Sequence, residues 1–129
     1  MGSRELLGPG STYRAASQLA AFYLDAGAVR VIFDYVFETP TQLEYFEDAL
    51  SSAIPRQVIT LWASLETLQA RDALRERSVR QGARVRESVS VMAHHLQSLG
   101  CVIDTEGSAP TEIAARVHRF VHEAYERAA

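Results

Sequence analysis

The chain has 129 residues, of which 47% are hydrophobic and 22% are charged, and its net charge at pH 7 is −3. This length and composition predict one soluble domain with its own core, and they exclude a disordered segment or a scaffold that depends on disulfides or metals. The slight acidity gives no reason to expect nucleic acid or an anionic membrane as a partner. No apolar run approaches the roughly 20 residues that span a bilayer.

Two residue counts narrow the chemistry further. Cys101 is the single cysteine, so no intrachain disulfide can form and a reducing cytoplasm is the simplest location. The sequence contains no lysine, and all 13 basic residues are arginine. A lysine nucleophile, a Schiff-base lysine and a phosphate-loop lysine are therefore excluded within these residues.

The first part of the chain predicts a helix followed by a strand. Residues 1–11 are rich in glycine and form either a flexible lead-in or an expression remnant, so the folded domain is predicted over residues 12–129. A helix is predicted from about Thr12 to Ala26, with Gly27 as its stop. The apolar residues Ala28–Phe33 then predict a buried strand with Asp34 at its tip.

The middle of the chain repeats this order. Thr39 is a predicted N-cap, with a proline at the first helical position and Gln42 completing a capping box. Pro55 blocks continuation of that helix. Gln57–Trp62 predicts a second strand, and a third helix is expected from Leu65 to about Arg77.

The last part of the chain predicts two further helices around a strand. A fourth helix is expected between Gly82 and Gly100, a third strand over Cys101–Ile103 ending in Asp104, and a last helix from Pro110. This alternation indicates an α/β fold with a parallel sheet of about three strands and about five helices. Ligands of such sheets bind outside the carboxyl ends of the strands. The residues expected along that edge are Asp34, Trp62, Ala63, Ser64, Asp104 and Thr105.

Two features predict phosphate chemistry. An acid at the tip of a buried parallel strand is where α/β phosphotransferases hold magnesium, although Asp34 could also cap a loop or helix. Residues 71–86 carry a local charge of +4. Guanidinium groups match phosphate oxygens, and a segment containing Gly82 suits a lid over a polyphosphate. The alternative is a solvated face whose arginines pair with Asp72 and Glu76. The arginines of this segment are Arg71, Arg75, Arg77, Arg80, Arg84 and Arg86.

The remaining candidates are weaker. His118 and His122 lie one helical turn apart, with Glu126 a further turn along, which is a spacing that can bind a metal. They fall opposite the apolar stripe of the last helix, so a solvated face is the alternative that we favour. Cys101 lies in an apolar strand and is predicted to be an inert core thiol.

Three stretches together resemble one family. Residues 26–37 (AGAVRVIFDYVF) are similar to the third strand of chloramphenicol phosphotransferase-like and related small AAA-type P-loop kinases. Residues 68–77 (LQARDALRER) resemble the helix leading into their lid, and residues 102–114 (VIDTEGSAPTEIA) resemble their final strand, adenine-side loop and closing helix. The resemblance extends from about Thr12 to the end of the chain.

The resemblance implies an ATP-dependent transfer of a phosphoryl group to a small-molecule hydroxyl, with ATP and Mg²⁺ as cofactors of the intact family. Asp34 would hold the metal and act in catalysis with Arg71 and Arg75. The remaining nucleotide-binding residues implied are Arg77, Arg80, Asp104, Thr105, Gly107 and Ser108.

The sequence departs from this family at its front. Members begin with a strand and a Gly-x-x-x-x-Gly-Lys-Ser/Thr loop, which this lysine-free chain does not contain. Tyr35 also replaces a second acid. We therefore expect a truncated P-loop kinase-like domain without its central strand, with open sheet edges, and with weak or no ATP binding by the chain alone.

Two hypotheses follow. In the first, the chain is part of an ATP-dependent phosphotransferase, is inactive alone and is completed by a missing N-terminal half. In the second, it is a non-catalytic module that self-associates or binds a partner through its open sheet edge.

Overall fold

A computed structural model describes residue 8 and residues 10–128 of the chain, with side chains as far as residue 127. Most of the lead-in expected over residues 1–11 lies outside this part. The chain divides into two compact units, Met1–Pro55 and Arg56–Ala129.

The first unit is built on two helices. Helix α1 spans Ser11–Asp25 and helix α2 spans Pro40–Asp48. Gly27 follows α1 with φ of 106°, which is the left-handed backbone that glycine adopts without strain. Thr39 caps α2, because its hydroxyl accepts a hydrogen bond from the backbone N–H of Gln42 at 3.3 Å. Both predicted helices and the cap at Thr39 are confirmed. The predicted capping box is not closed, because Oε1 of Gln42 accepts from the backbone N–H of Glu38 at 2.8 Å and not from that of Thr39.

The strand predicted over Ala28–Phe33 is not formed. No hydrogen bond joins the backbone of residues 29–37 to another described part of the chain, and Val29 and Ile32 are 97% and 84% exposed. The strand was predicted because the segment is apolar and rich in β-branched residues. A strand also requires a neighbouring strand that pairs with its backbone. Asp34 is therefore not at the tip of a strand.

The second unit contains a parallel sheet of two strands, with three helices. Two short 3₁₀ turns, Arg77–Val79 and Leu96–Ser98, occupy the places where longer third and fourth helices were expected. The helices therefore stop earlier than their apolar stripes suggested. The elements are β1 (Ile59–Trp62), α3 (Leu65–Ala73), α4 (Arg84–Ala93), β2 (Cys101–Asp104) and α5 (Pro110–Ala128).

The sheet runs from Ile59 opposite Cys101 to Trp62 opposite Asp104. The α/β class, the parallel direction and the five α-helices of the described residues agree with the prediction. The sheet has two strands and not three, because the predicted first strand is unpaired. Gly100 precedes β2 with φ of 78°, and a Cβ there would lie 2.4 Å from the carbonyl oxygen of Val58.

The buried apolar side chains of the second unit surround β2. Leu99 is fully buried, Ile103 is 5% exposed and Ile113 of α5 is 8% exposed. Leu74, which falls within the predicted third helix, is 88% exposed and follows the last residue of α3. None of the helices within residues 10–128 combines the length and apolar character required to cross a membrane.

Candidate functional site

The carboxyl ends of β1 and β2 are joined through Thr105. Its backbone N–H donates to the carbonyl oxygen of Trp62 at 2.8 Å, and its hydroxyl donates to the same oxygen at 3.0 Å. Thr105 is 6% exposed. These bonds fix the start of the loop after β2 against the end of β1, so the two strand ends form one edge.

Arg71 of α3 reaches this edge. Its Nη1 donates to the hydroxyl oxygen of Thr105 at 2.8 Å, and its Nη2 donates to the carbonyl oxygen of Thr105 at 3.0 Å. This two-pronged contact fixes the plane of the guanidinium group. The structure thus brings together two of the residues that the sequence singled out, Arg71 and Thr105, at the predicted edge of the sheet.

Glu106 occupies the N-terminus of α3. Its Oε1 accepts from the backbone N–H of Ser64 at 2.5 Å, and its Oε2 accepts from the hydroxyl of Thr67 at 2.8 Å. Ser64 is the N-cap and accepts from the backbone N–H of Thr67 at 3.2 Å. Glu106 therefore does from another loop what a glutamate at Thr67 would do in a capping box.

These contacts alter the ionisation of Glu106. The hydrogen bond from the Ser64 backbone N–H lowers the pKa of the Glu106 carboxyl, with further lowering by the side chains of Ser64 and Thr67 and by the charge of Arg71. The carboxylate is therefore held in its charged form beside Arg71. The sequence analysis did not identify Glu106. The available signal was the helix start Ser64-x-x-Thr67, which has threonine where a capping box has glutamate or glutamine.

The loop after β2 is held by its own polar groups. Oδ1 of Asp104 accepts from the backbone N–H of Glu106 at 2.9 Å, and Nη1 of Arg116 donates to the carbonyl oxygen of Asp104 at 3.0 Å. Gly107 turns the chain with φ of 63°, and the hydroxyl of Ser108 lies 3.4 Å from the carbonyl oxygen of Glu106. The residues predicted to lie beside the nucleotide base thus form one ordered turn at the strand ends.

The arginine-rich segment after α3 is fastened through Asp72. This side chain is 8% exposed and accepts from the backbone N–H groups of Gln81 at 2.8 Å and Gly82 at 2.9 Å. These two bonds lower the pKa of Asp72. Asp72 forms a backbone clamp in place of the direct ion pair with arginine that the alternative interpretation expected, and the charges of Arg75 and Arg80 lower its pKa further. Nε of Arg80 donates to the carbonyl oxygen of Arg75 at 2.9 Å.

Three predicted phosphate ligands remain apart from the strand-end cluster. Arg75, Arg77 and Arg80 are exposed, and no side-chain contact joins them to Thr105 or Glu106 within residues 10–128. Their phosphate-binding role stays a prediction. The hydrogen bonds to Asp72 nevertheless attach this arginine-bearing segment to α3.

Asp34 belongs to the first unit, where its side chain is exposed and makes no hydrogen bond or ion pair with a described residue. His118 and His122 are stacked with ring centroids 6.2 Å apart, and His122 lies 3.2 Å from Glu126. Within the described part of the chain, no three His, Cys, Asp or Glu side chains are placed to hold a metal ion. The residues described therefore do not fit a magnesium site by themselves.

The described residues suit a phosphate group better than a metal ion. Arg71 uses two of its five N–H donors on Thr105, so three donors are left at an exposed guanidinium group. No lysine is present to complete a phosphate cradle. The cluster thus offers fixed N–H donors at the strand ends, which suit part of a polyphosphate site, while the charged carboxylate of Glu106 in the same cluster opposes an anion.

Comparisons with known proteins give no relative for this chain. No family model matches it, and neither the curated proteins nor the solved structures contain a match.

Proposed function

We propose that the chain supplies the base-side loop and the arginine-bearing lid of an ATP-dependent phosphotransferase of the P-loop type. The acceptor would be the hydroxyl group of a small molecule, and the location would be a reducing cytoplasm. The observation that carries the proposal is the guanidinium group of Arg71, fixed by Thr105 where two parallel strands end.

This position suits phosphoryl transfer for a physical reason. The transferred group spreads negative charge over its oxygens, so fixed positive donors at the strand ends lower the barrier. Arg71 is fixed before any ligand arrives, because both contacts with Thr105 are internal to the unit. Preorganised donors do not need to be reoriented during the reaction.

The proposal assigns only part of a kinase to these residues. Without lysine they cannot form the cradle for the β- and γ-phosphates, so the cradle and the catalytic base would come from a segment outside them. The roles of Asp34 at the metal and of Arg75, Arg77 and Arg80 in the lid remain predictions of the family resemblance.

The test is calorimetric titration with ATP and with inorganic triphosphate, each with and without Mg²⁺. We expect weak binding, with a dissociation constant of about 1 mM, corresponding to about −4 kcal/mol. Arg71→Gln should remove it, and Arg71→Lys, which keeps the positive charge without the forked donors, should retain part of it. Arg119→Gln on α5 is the matched control. Binding that Arg71→Gln leaves unchanged, or binding with a dissociation constant below about 1 μM, would contradict the proposal.

A second candidate is an interaction module, favoured by the open edge of β1. The carbonyl oxygens of Val58 and Trp62 accept hydrogen bonds from the backbone N–H groups of Cys101 and Thr105. Because backbone groups alternate in direction along a parallel strand, those of Ile59 and Leu61 point to the opposite, open edge of β1. Leu61 is also 53% exposed. An unpaired edge of this kind accepts a strand from another chain.

Leu61→Lys tests this candidate, because it places a charge on the open edge without removing a bond between β1 and β2. Mass measurement across a concentration series should show an associated species that the substitution removes. A monomer at high concentration, or association that the substitution leaves unchanged, would count against the edge of β1 as a binding surface.

A further inference from the structure

Residues 28–36 of the first unit have the side-chain pattern of a strand without a strand's partner. Phe33 stacks on Phe46 of α2 with ring centroids 5.0 Å apart, and Tyr35 stacks on Phe33 at 5.8 Å. Phe33 and Tyr35, two positions apart, thus face one side, as alternate side chains do in an extended chain, whereas Val29 on the same alternation is 97% exposed. The intervening side chains are all exposed, and they are Arg30, Ile32, Asp34 and Val36.

From residue 29 onward, the backbone of this segment is available for pairing, whereas the N–H of Ala28 donates to the carbonyl oxygen of Tyr23 at 3.0 Å. No hydrogen bond joins residues 29–37 through their backbone to any other described residue. Exposed unpaired strands are normally protected by lysine, proline or a bulge. Residues 28–36 contain neither lysine nor proline, and their only charged residues are Arg30 and Asp34.

The two charges select how such a segment pairs with itself. In a parallel pair of two copies, Arg30 would lie opposite Arg30 and Asp34 opposite Asp34, and like charges directly opposite are destabilising. In an antiparallel pair centred on Ile32, each Arg30 lies opposite the Asp34 of the other copy. The dimer then contains two arginine–aspartate pairs, related by a two-fold axis.

We propose that two copies of this chain associate through residues 28–36 as an antiparallel, two-fold symmetric strand pair centred on Ile32. The pairing satisfies the unpaired backbone groups of both copies and brings the two Ile32 side chains together between two arginine–aspartate pairs. A two-fold contact uses the same surface on both subunits, so one segment with this self-complementary charge pattern suffices. The inference is independent of both functions proposed above, since it involves neither Arg71 nor the edge of β1.

The register is tested by cross-linking in a Cys101→Ser background, which removes the only native thiol. Ile32→Cys should form an intermolecular disulfide under mild oxidation, because the Cβ atoms of directly opposed residues lie within about 5 Å. Val36→Cys is the matched control, since its partner across the axis would be Ala28 and the two cysteines would be far apart. Equal cross-linking of the two variants would overturn the register.

The charge pairing is tested by analytical ultracentrifugation of variants with the native Cys101. Arg30→Asp and Asp34→Arg should each weaken dimerisation about tenfold or more, since each replaces two opposite-charge pairs with two like-charge pairs. The double exchange, Arg30→Asp with Asp34→Arg, should recover most of the affinity. Circular dichroism verifies that each variant is folded. A monomer at every concentration, or a dimer indifferent to all three variants, would refute the proposal.

Discussion

The backbone N–H of Ser64 and the carboxylate of Glu106 are separated by 42 positions in the chain and joined by a hydrogen bond of 2.5 Å. Ser64 caps helix α3, whereas Glu106 lies in the loop after β2. The bond therefore ties the start of a helix to the end of the neighbouring strand. It also places a negative charge at the positive end of the helix dipole, where it is stabilising.

We predict that Glu106 makes part of the stability of the chain depend on pH. Its folded pKa is lowered from the ordinary 4.5, so its contribution is complete at neutral pH and is lost as the pH falls below 4.5 through the lowered value. Glu106→Gln should lower the melting temperature at pH 7 and flatten its decline between pH 7 and pH 3. Thermal melts across this range check the prediction.

Glu123→Gln is the control for that series. Glu123 lies in α5 away from its N-terminal turn, is exposed and makes no side-chain hydrogen bond with a described residue. Its substitution should leave the shape of the pH profile unchanged. If both variants gave the same profile, the bond between Glu106 and Ser64 would not contribute to stability.

A second prediction concerns the close approach at Gly100. An alanine there would adopt φ of 78° and would place its Cβ 2.4 Å from the carbonyl oxygen and 2.7 Å from the Cβ of Val58. The left-handed backbone alone costs about 1–2 kcal/mol. Because the neighbouring atom is backbone next to β1, the sheet must also shift, so Gly100→Ala should lose more than about 2 kcal/mol in a urea titration.

Gly107→Ala separates the two contributions. Gly107 has φ of 63°, but no atom lies within 4 Å of the position that a Cβ would take. Its substitution should cost only the backbone term of about 1–2 kcal/mol. Equal losses for the two variants would show that contact with Val58 is not what requires glycine at position 100.

Local patterns predicted the parts of the fold that depend on neighbouring residues in the chain. The capping hydroxyl of Thr39 and the left-handed Gly27 follow from signals within a few positions, and both are present. The apolar run Ala28–Phe33 predicted a buried strand, and the structure forms none there. The sequence could not show whether another strand lies beside this run, because pairing is a relation between distant segments.

The same limit applies to the candidate site. Arg71 and Thr105 were both selected by sequence, each from its own local context, and the structure joins them across 34 positions. Glu106 was not selected, because its function in the site is to complete a helix cap that begins 42 positions earlier. Asp72 was assigned to surface pairing for a similar reason. The residues whose backbone N–H groups donate to it, Gln81 and Gly82, follow a turn that no local pattern specified.

The clamp at Asp72 provides a third prediction, which concerns the mobility of the arginine-rich segment. The carboxylate accepts both backbone N–H groups at once, with lengths of 2.8 and 2.9 Å. An asparagine can accept with only one oxygen and turns an N–H₂ group toward a second donor. Asp72→Asn should therefore release residues 74–82 while leaving β1 and β2 in place.

Two measurements follow from this release. Amide exchange at Gln81 and Gly82 should become faster, and trypsin should cleave after Arg77 and Arg80 several-fold sooner than in the parent chain. Glu76→Gln is the matched control, because Glu76 lies in the same segment and its carboxylate makes no hydrogen bond with a described residue. Unchanged exchange and cleavage in Asp72→Asn would mean that the segment is held by other contacts. The segment fastened by this carboxylate should also become more mobile as the pH falls through the lowered pKa of Asp72, because the protonated acid is a weaker acceptor for both N–H groups.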